Sequence, residues 1–293
     1  MSLPVMDVKD RLLAAFAAEG VGRVLLKAPT GSGKSTVVPK CLLEEAGFEG
    51  RVIVVQPRRI AARMLAEYVA SLVGGAVGER VGYSVRFERK YGPKTKLIYV
   101  TDGVLQRWLS EDGGLDGVSC VLFDEFHERR LASDLALGRV LALQGQRKDL
   151  RVGVMSATLA VAGLEKYLAP CELLESEGRR YAVSIRYAGA AERKRNRFGV
   201  MEEEGVWDRV GRVLREELRE EERPERVLVF LPGGYEIRKT VTLLENASYT
   251  KGYEVLPLFS GLSPDAQRRA VAKGGGPRII VSSNVAELSL IHI

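Results

Sequence analysis

The run Lys27-Ala28-Pro29-Thr30-Gly31-Ser32-Gly33-Lys34-Ser35-Thr36 follows the apolar Val24-Leu25-Leu26 and precedes a helical pattern. It demands a strand, a tight turn and a helix, in that order. Such a turn aims backbone N–H groups at one spot, and the start of the helix adds partial positive charge there. A polyphosphate suits it, with Lys34 supplying charge and Ser35 a hydroxyl for Mg²⁺. Thr30, Gly31, Ser32, Gly33, Lys34, Ser35 and Thr36 are therefore assigned to nucleotide binding, and the helix is expected to begin near Lys34. Ala28 stands where a strict pattern has Gly.

Around this turn, apolar runs alternate with helical ones. Strands are expected over Val24–Lys27, Val52–Val55, Lys96–Val100, Cys120–Phe123 and Val152–Met155. Helices are expected over Ala61–Leu72, over Leu131–Leu143 with Leu135, Ala136 and Val140 on one stripe, and over Leu159–Leu168. This alternation predicts an α/β fold with a mostly parallel sheet, one domain closing at residue 172. A second α/β unit, 173–293, is expected to hold strands over Tyr181–Tyr187, Val227–Leu231, Glu254–Leu258 and Arg278–Ser282. Its helices would cover Glu203–Arg219, Tyr235–Leu244 and a segment capped by Ser263, with Pro264 at the first helical position. Glu192-Arg193-Lys194-Arg195-Asn196-Arg197 reads as a basic loop, either solvated or touching phosphates.

Parallel sheets hold ligands at the carboxyl ends of their strands, and the other chemistry-bearing residues fall there. Val121-Leu122-Phe123 leads into Asp124-Glu125-Phe126-His127. Asp124 can hold Mg²⁺ through water, and Glu125 can orient and deprotonate an attacking water. Ser156-Ala157-Thr158 follows another strand, placing two hydroxyls near the γ-phosphate side. Gln56-Pro57-Arg58-Arg59 and Thr101-Asp102-Gly103 follow two more. Arg58 and Arg59 are surface charges by default; beside the other loops they read as phosphate contacts.

Composition narrows the remainder. Three cysteines and two histidines leave no metal-type spacing and no disulfide framework. No apolar stretch reaches the ~18 residues of a membrane span, and the N-terminal segment is broken by charge, so a cytoplasmic protein without membrane contact is expected. The net charge of +6 favours a polyanion partner.

Together these motifs resemble superfamily 2 DExH-box helicases of the HrpB type. The resembling segments are Ala28–Thr36, Gln56–Arg63, Gly82–Glu88, Thr101–Leu105, Asp124–Arg129, Ser156–Thr158 and Leu228–Gly233, in order across nearly the whole chain. The resemblance implies two RecA-like P-loop domains, the second incomplete, that clamp ATP·Mg²⁺ and carry single-stranded RNA, coupling hydrolysis to translocation or unwinding. It implies catalytic roles for Lys34, Asp124, Glu125 and His127, metal ligation by Ser35 and Asp124, coupling through Ser156 and Thr158, and an RNA grip by Arg58, Arg59 and Thr101. Alternatives are a nucleotide-gated RNA-binding module without productive unwinding and a related DNA translocase. Ser283–Glu287 fits the start of a further motif, but Leu288 stands where Thr is expected. Leu288–Ile293 reads as a translation of CTGTCTCTTATACACATC, a sequencing-library transposon end, so the native reading is expected to stop at Glu287. The arginine-rich motif that the resemblance implies beyond this point is not in the sequence, so slow hydrolysis is expected of these residues.

Overall fold

The computed structural model describes residues 3–17, 20–111, 115–157, 162–177, 183–190, 193–195, 201–219, 223–272, 274–284 and 286. The chain divides into two units, residues 1–180 and 181–293.

In the first unit the strands are β1 (Arg23–Lys27), β2 (Arg51–Gln56), β3 (Val81–Val85), β4 (Glu88–Lys90), β5 (Leu97–Thr101), β6 (Val118–Phe123), β7 (Arg151–Ser156) and β8 (Glu172–Glu175). They form one eight-stranded sheet in the order β4-β3-β5-β2-β6-β7-β1-β8. Every pairing is parallel except β3 with β4. The helices are α1 (Lys9–Phe16), α2 (Val37–Glu45), α3 (Arg59–Leu72), α4 (Asp102–Glu111), α5 (Leu131–Gln146) and α6 (Ala162–Leu168).

The apolar runs of the central strands are buried along their length, as in a parallel sheet covered on both faces. Ile53, Val55, Ile98, Val100, Val121, Phe123, Val152 and Val154 join Leu105, Ala136, Leu137 and Val140 in one core. Gly153 of β7 faces the other side of the sheet, where a Cβ would lie 2.4 Å from Leu122 Cδ2 and 3.2 Å from Phe16 Cζ. Gly153→Ala is expected to cost about 1–3 kcal/mol through overpacking, read as a lower urea midpoint at unchanged slope.

Several elements differ from expectation. Leu135 points outward at 56% exposure while Ala136, Leu137 and Val140 are buried. A rotation of ~100° per residue puts Leu131 and Leu135 together on the opposite face. The hairpin β3–β4 and the strand β8 escaped the sequence reading. β8 pairs with β1 beyond the expected boundary at 172.

In the second unit, β9 (Arg193–Arg195) and β10 (Met201–Glu203) form an antiparallel ribbon where a basic loop was expected. The helices α7 (Val206–Glu217), α8 (Gly234–Glu245) and α9 (Pro264–Val271) accompany a parallel sheet of β11 (Arg226–Phe230), β12 (Glu254–Leu258) and β13 (Arg278–Ser282), in the order β11-β13-β12. Ser263 caps α9 as expected, its Oγ accepting from the Ala266 N–H at 3.3 Å. No strand forms over 183–190, although Val183, Ile185 and Tyr187 alternate in the β manner. A strand needs a neighbour, and among the described residues none pairs with it. Residues 159–161 and 181–182 of the expected elements, residues 192 and 196–197 of the basic loop, residues 285 and 287, and Leu288–Ile293 lie outside the described residues.

Candidate nucleotide site

All described candidate residues of the first unit sit at the carboxyl ends of β1, β2, β5, β6 and β7. The phosphate turn leaves β1 at Ala28, whose N–H donates to the Ser156 carbonyl at 3.0 Å, so the turn is fastened to the end of β7. Gly31 and Gly33 adopt φ of +81° and +94°, which side chains disfavour. At Gly33 a Cβ would also meet Leu3 Cδ1 at 3.0 Å and Val5 Cγ1 at 3.2 Å. Val5 donates its N–H to the Ser32 carbonyl at 3.1 Å, so the N-terminal segment braces the turn.

The helix α2 begins at Val37, not near Lys34. Gly33 cannot be part of a right-handed helix at its φ. Pro39 has no N–H to give the Ser35 carbonyl, four residues back, so the first turn lacks that bond. Lys34–Thr36 therefore form a turn closed by Thr36 and Val37 N–H groups on the Gly33 carbonyl, at 3.1 and 2.7 Å.

Asp124 and Glu125 follow β6. Glu125 adopts φ +50°, ψ +36°, a left-handed conformation that costs a non-glycine residue ~1 kcal/mol. Its N–H donates to Asp124 Oδ1 at 2.8 Å. The Lys34 ammonium stands 3.0 Å from Glu125 Oε1, both side chains 5% exposed or less. The turn and the acid pair, far apart in sequence, thus meet directly. Burial, and then the Asp124 carboxylate, push Glu125 up to about 7, with Lys34 pulling the other way. A carboxyl poised near neutrality is suited to taking a proton from water. His127 Nδ1 lies 3.4 Å from Glu125 Oε2 and accepts from the Ala157 N–H at 3.3 Å, joining the acid pair to the end of β7.

Ser32, Lys34, Ser35, Asp124, Glu125 and Ser156 are all buried, an expensive arrangement for a purely structural cluster. The hydroxyls of Ser32 and Ser35 and the Oε1 of Gln56 have no hydrogen-bond partner among the described residues. A buried hydroxyl and a carboxylate make an all-oxygen donor set of the kind Mg²⁺ takes beside phosphate and water. The chemistry of these residues is compatible with nucleotide and Mg²⁺, and Ser35 and Asp124 are the ones that could hold the metal.

The loops assigned to polynucleotide are less uniform. Arg59 is exposed at the start of α3, and Thr101 is half-buried at the end of β5. Arg58 is committed inwardly, its Nη2 lying 2.9 Å from Glu128 Oε1. Arg130 reaches Glu128 Oε2 at 3.1 Å and donates to the Pro57 carbonyl at 2.5 Å. Thr158 lies outside the described residues.

Two residues with no individual role in the sequence reading also belong here. Gln56 Nε2 donates to Asp124 Oδ2 at 2.5 Å, and the Tyr99 hydroxyl donates to the Ser35 carbonyl at 2.9 Å. The available signals were a polar residue directly after the apolar run Val52–Val55 and a phenol in the middle of another strand.

The family model for DEAD/DEAH box helicases matches residues 10–167. The chain belongs to this helicase family. It is 40% identical over 294 residues to the ATP-dependent RNA helicase HrpB of Escherichia coli (strain K12), which covers 99% of this chain and 34% of that protein. It is 34% identical over 292 residues to the ATP-dependent RNA helicase HrpA of Borreliella burgdorferi, covering 98% of this chain and 34% of that one. The crystal structure of the E. coli DEAH/RHA helicase HrpB superposes with a TM-score of 0.85 at 39% identity, over 98% of this chain and 35% of that one. These matches establish a helicase core of RecA-like α/β fold, and this DEAD/DEAH-family chain spans about a third of the length of the relatives it matches.

Proposed function

We propose that this chain is the ATP-hydrolysing, RNA-engaging part of an ATP-dependent RNA helicase, its first RecA-like unit binding the nucleotide and its second contributing to the grip on RNA. The observation that carries the reading is the 3.0 Å meeting of Lys34 and Glu125 beside Asp124 at one sheet edge. The similarity to the ATP-dependent RNA helicases HrpB and HrpA supports it.

In this reading the backbone of Thr30–Thr36 and the Lys34 ammonium receive the β- and γ-phosphates. Lys34 then exchanges Glu125 for phosphate oxygen, which releases the carboxylate to accept the proton of the attacking water. Mg²⁺, when bound, would neutralise phosphate charge and align the displacement. His127 joins Glu125 to Ala157 at the end of β7, and Ser156 and Thr158 would pass hydrolysis on to the RNA. Arg59, Thr101 and, on exchange of Glu128 for phosphate, Arg58 would hold the RNA backbone without reading sequence. Among the described residues no helix is long and apolar enough to cross a membrane, and the reading places the protein in the cytoplasm.

The test is binding of fluorescein-labelled oligouridylate and oligothymidylate in a salt series, with ATPγS present. Affinity should fall linearly on logarithmic axes, and Arg59→Ala should reduce that slope by about 0.7, one single-strand phosphate contact. Preference for oligothymidylate would favour the DNA translocase reading, and salt-independent binding would remove the polynucleotide role.

A further inference from the structure

The Asp124 carboxylate and the Ser35 backbone are each held by one buried side chain from a neighbouring strand. Gln56 and Tyr99 are both 0% exposed. The need at Ser35 is created by the chain itself: a regular helix would cap its carbonyl with the N–H of residue 39, which is proline. The Tyr99 hydroxyl, arriving from β5, supplies the missing donor at 2.9 Å. At Asp124, Gln56 fixes Oδ2 by its amide N–H, while Oδ1 takes the Glu125 N–H. The Gln56 Oε1 stays buried with no partner, beside the carboxylate it orients.

The placement of both residues along their strands adds to this. Gln56 is the last residue of β2, immediately before Pro57-Arg58-Arg59, and it pairs in register with Thr101 at the end of β5. Tyr99 stands two residues before Thr101, opposite Val54. Each group that would hold the metal is therefore tied to a strand whose end enters a loop assigned to RNA.

We infer that Gln56 and Tyr99 are positioning residues for the metal-bound nucleotide, Gln56 by orienting Asp124 and its water shell and Tyr99 by fixing the turn that carries the Ser35 hydroxyl. The inference rests on the nucleotide site proposed above. Partners of this kind commonly govern metal affinity by 10–100-fold, because they set the angle at which a ligand meets the ion.

The experiment measures mant-ADP affinity of the full chain in EDTA and across a Mg²⁺ titration, for the unaltered protein, Gln56→Met and Tyr99→Phe. The expected result is a Mg²⁺ requirement about tenfold higher in each variant, with any loss in EDTA clearly smaller than the loss in Mg²⁺. Equal weakening with and without Mg²⁺, or variants that match the unaltered chain, would overturn the positioning role. Tyr99→Phe removes a single oxygen and decides the matter if Gln56→Met melts below the assay temperature. Failure of the unaltered chain to bind mant-ADP at all would instead overturn the nucleotide site, and this inference with it.

Discussion

Lys34→Ala weakens binding of ATP·Mg²⁺ about 10- to 100-fold, the loss expected for a charge-assisted hydrogen bond of about 1.5–3 kcal/mol. Calorimetric titration with ATPγS reads this directly. The same substitution also acts on the folded chain without nucleotide. It leaves Glu125 buried with its cationic neighbour gone, and an unpaired buried charge costs about 3–5 kcal/mol when it cannot be neutralised. Glu125 can be neutralised, because it already titrates near 7.

The sign of the pH dependence follows. A carboxyl raised in the folded state favours folding while protonated, and that advantage is lost as pH rises from the ordinary carboxylate range through about 7. Without Lys34 the value moves higher still. The stability gap between Lys34→Ala and the unaltered chain should therefore widen from pH 6 to pH 8.5, by urea unfolding. A gap that narrows over this range would show that Lys34 and Glu125 are not coupled in solution, and unchanged ATPγS affinity would remove Lys34 from the phosphate site.

Glu125→Gln gives the opposite profile. Binding holds or tightens, because Lys34 no longer has to leave a carboxylate to meet phosphate. Hydrolysis of bound ATP falls about 10²–10⁴-fold with the loss of a general base. Single-turnover release of phosphate in the presence of oligouridylate measures the step. In the unaltered chain its rate should climb from pH 6 to pH 8 as Glu125 ionises, whereas the glutamine variant should be flat. A rate that survives the substitution would require another base, and a variant that loses binding as well would make Glu125 a structural partner of Lys34 instead.

How far the sequence could be read depends on which forces act locally. The five expected strands of the first unit stand within two residues of their predicted ends, since continuous apolar runs such as Val52–Val55 can only be buried in a covered sheet. The turn and the acid pair were legible for a similar reason: their chemistry needs fixed residue types at fixed spacing. Elements that depend on a neighbour were not. Tyr181–Tyr187 has β-type alternation yet gains no partner over 183–190, while β8, only four residues long, is a strand because β1 lies beside it. The start of α2 was misplaced because Pro39 acts on Ser35, a backbone effect that pattern-matching on Lys34 does not register. Gln56 and Tyr99 were invisible as individuals. Their roles depend on the lateral order of β2, β5 and β6 in the sheet, which places residues more than sixty positions apart within hydrogen-bond reach.

One of the two edge strands of the large sheet, β4, consists of Glu88, Arg89 and Lys90, all exposed. A free ladder edge ordinarily invites further chains to stack onto it, and mixed charge on a very short rung is a known deterrent. Growth into fibrils from this side would have to bury both signs of charge at every added layer, so the chain carries its own insurance against polymerising while its apolar strands assemble.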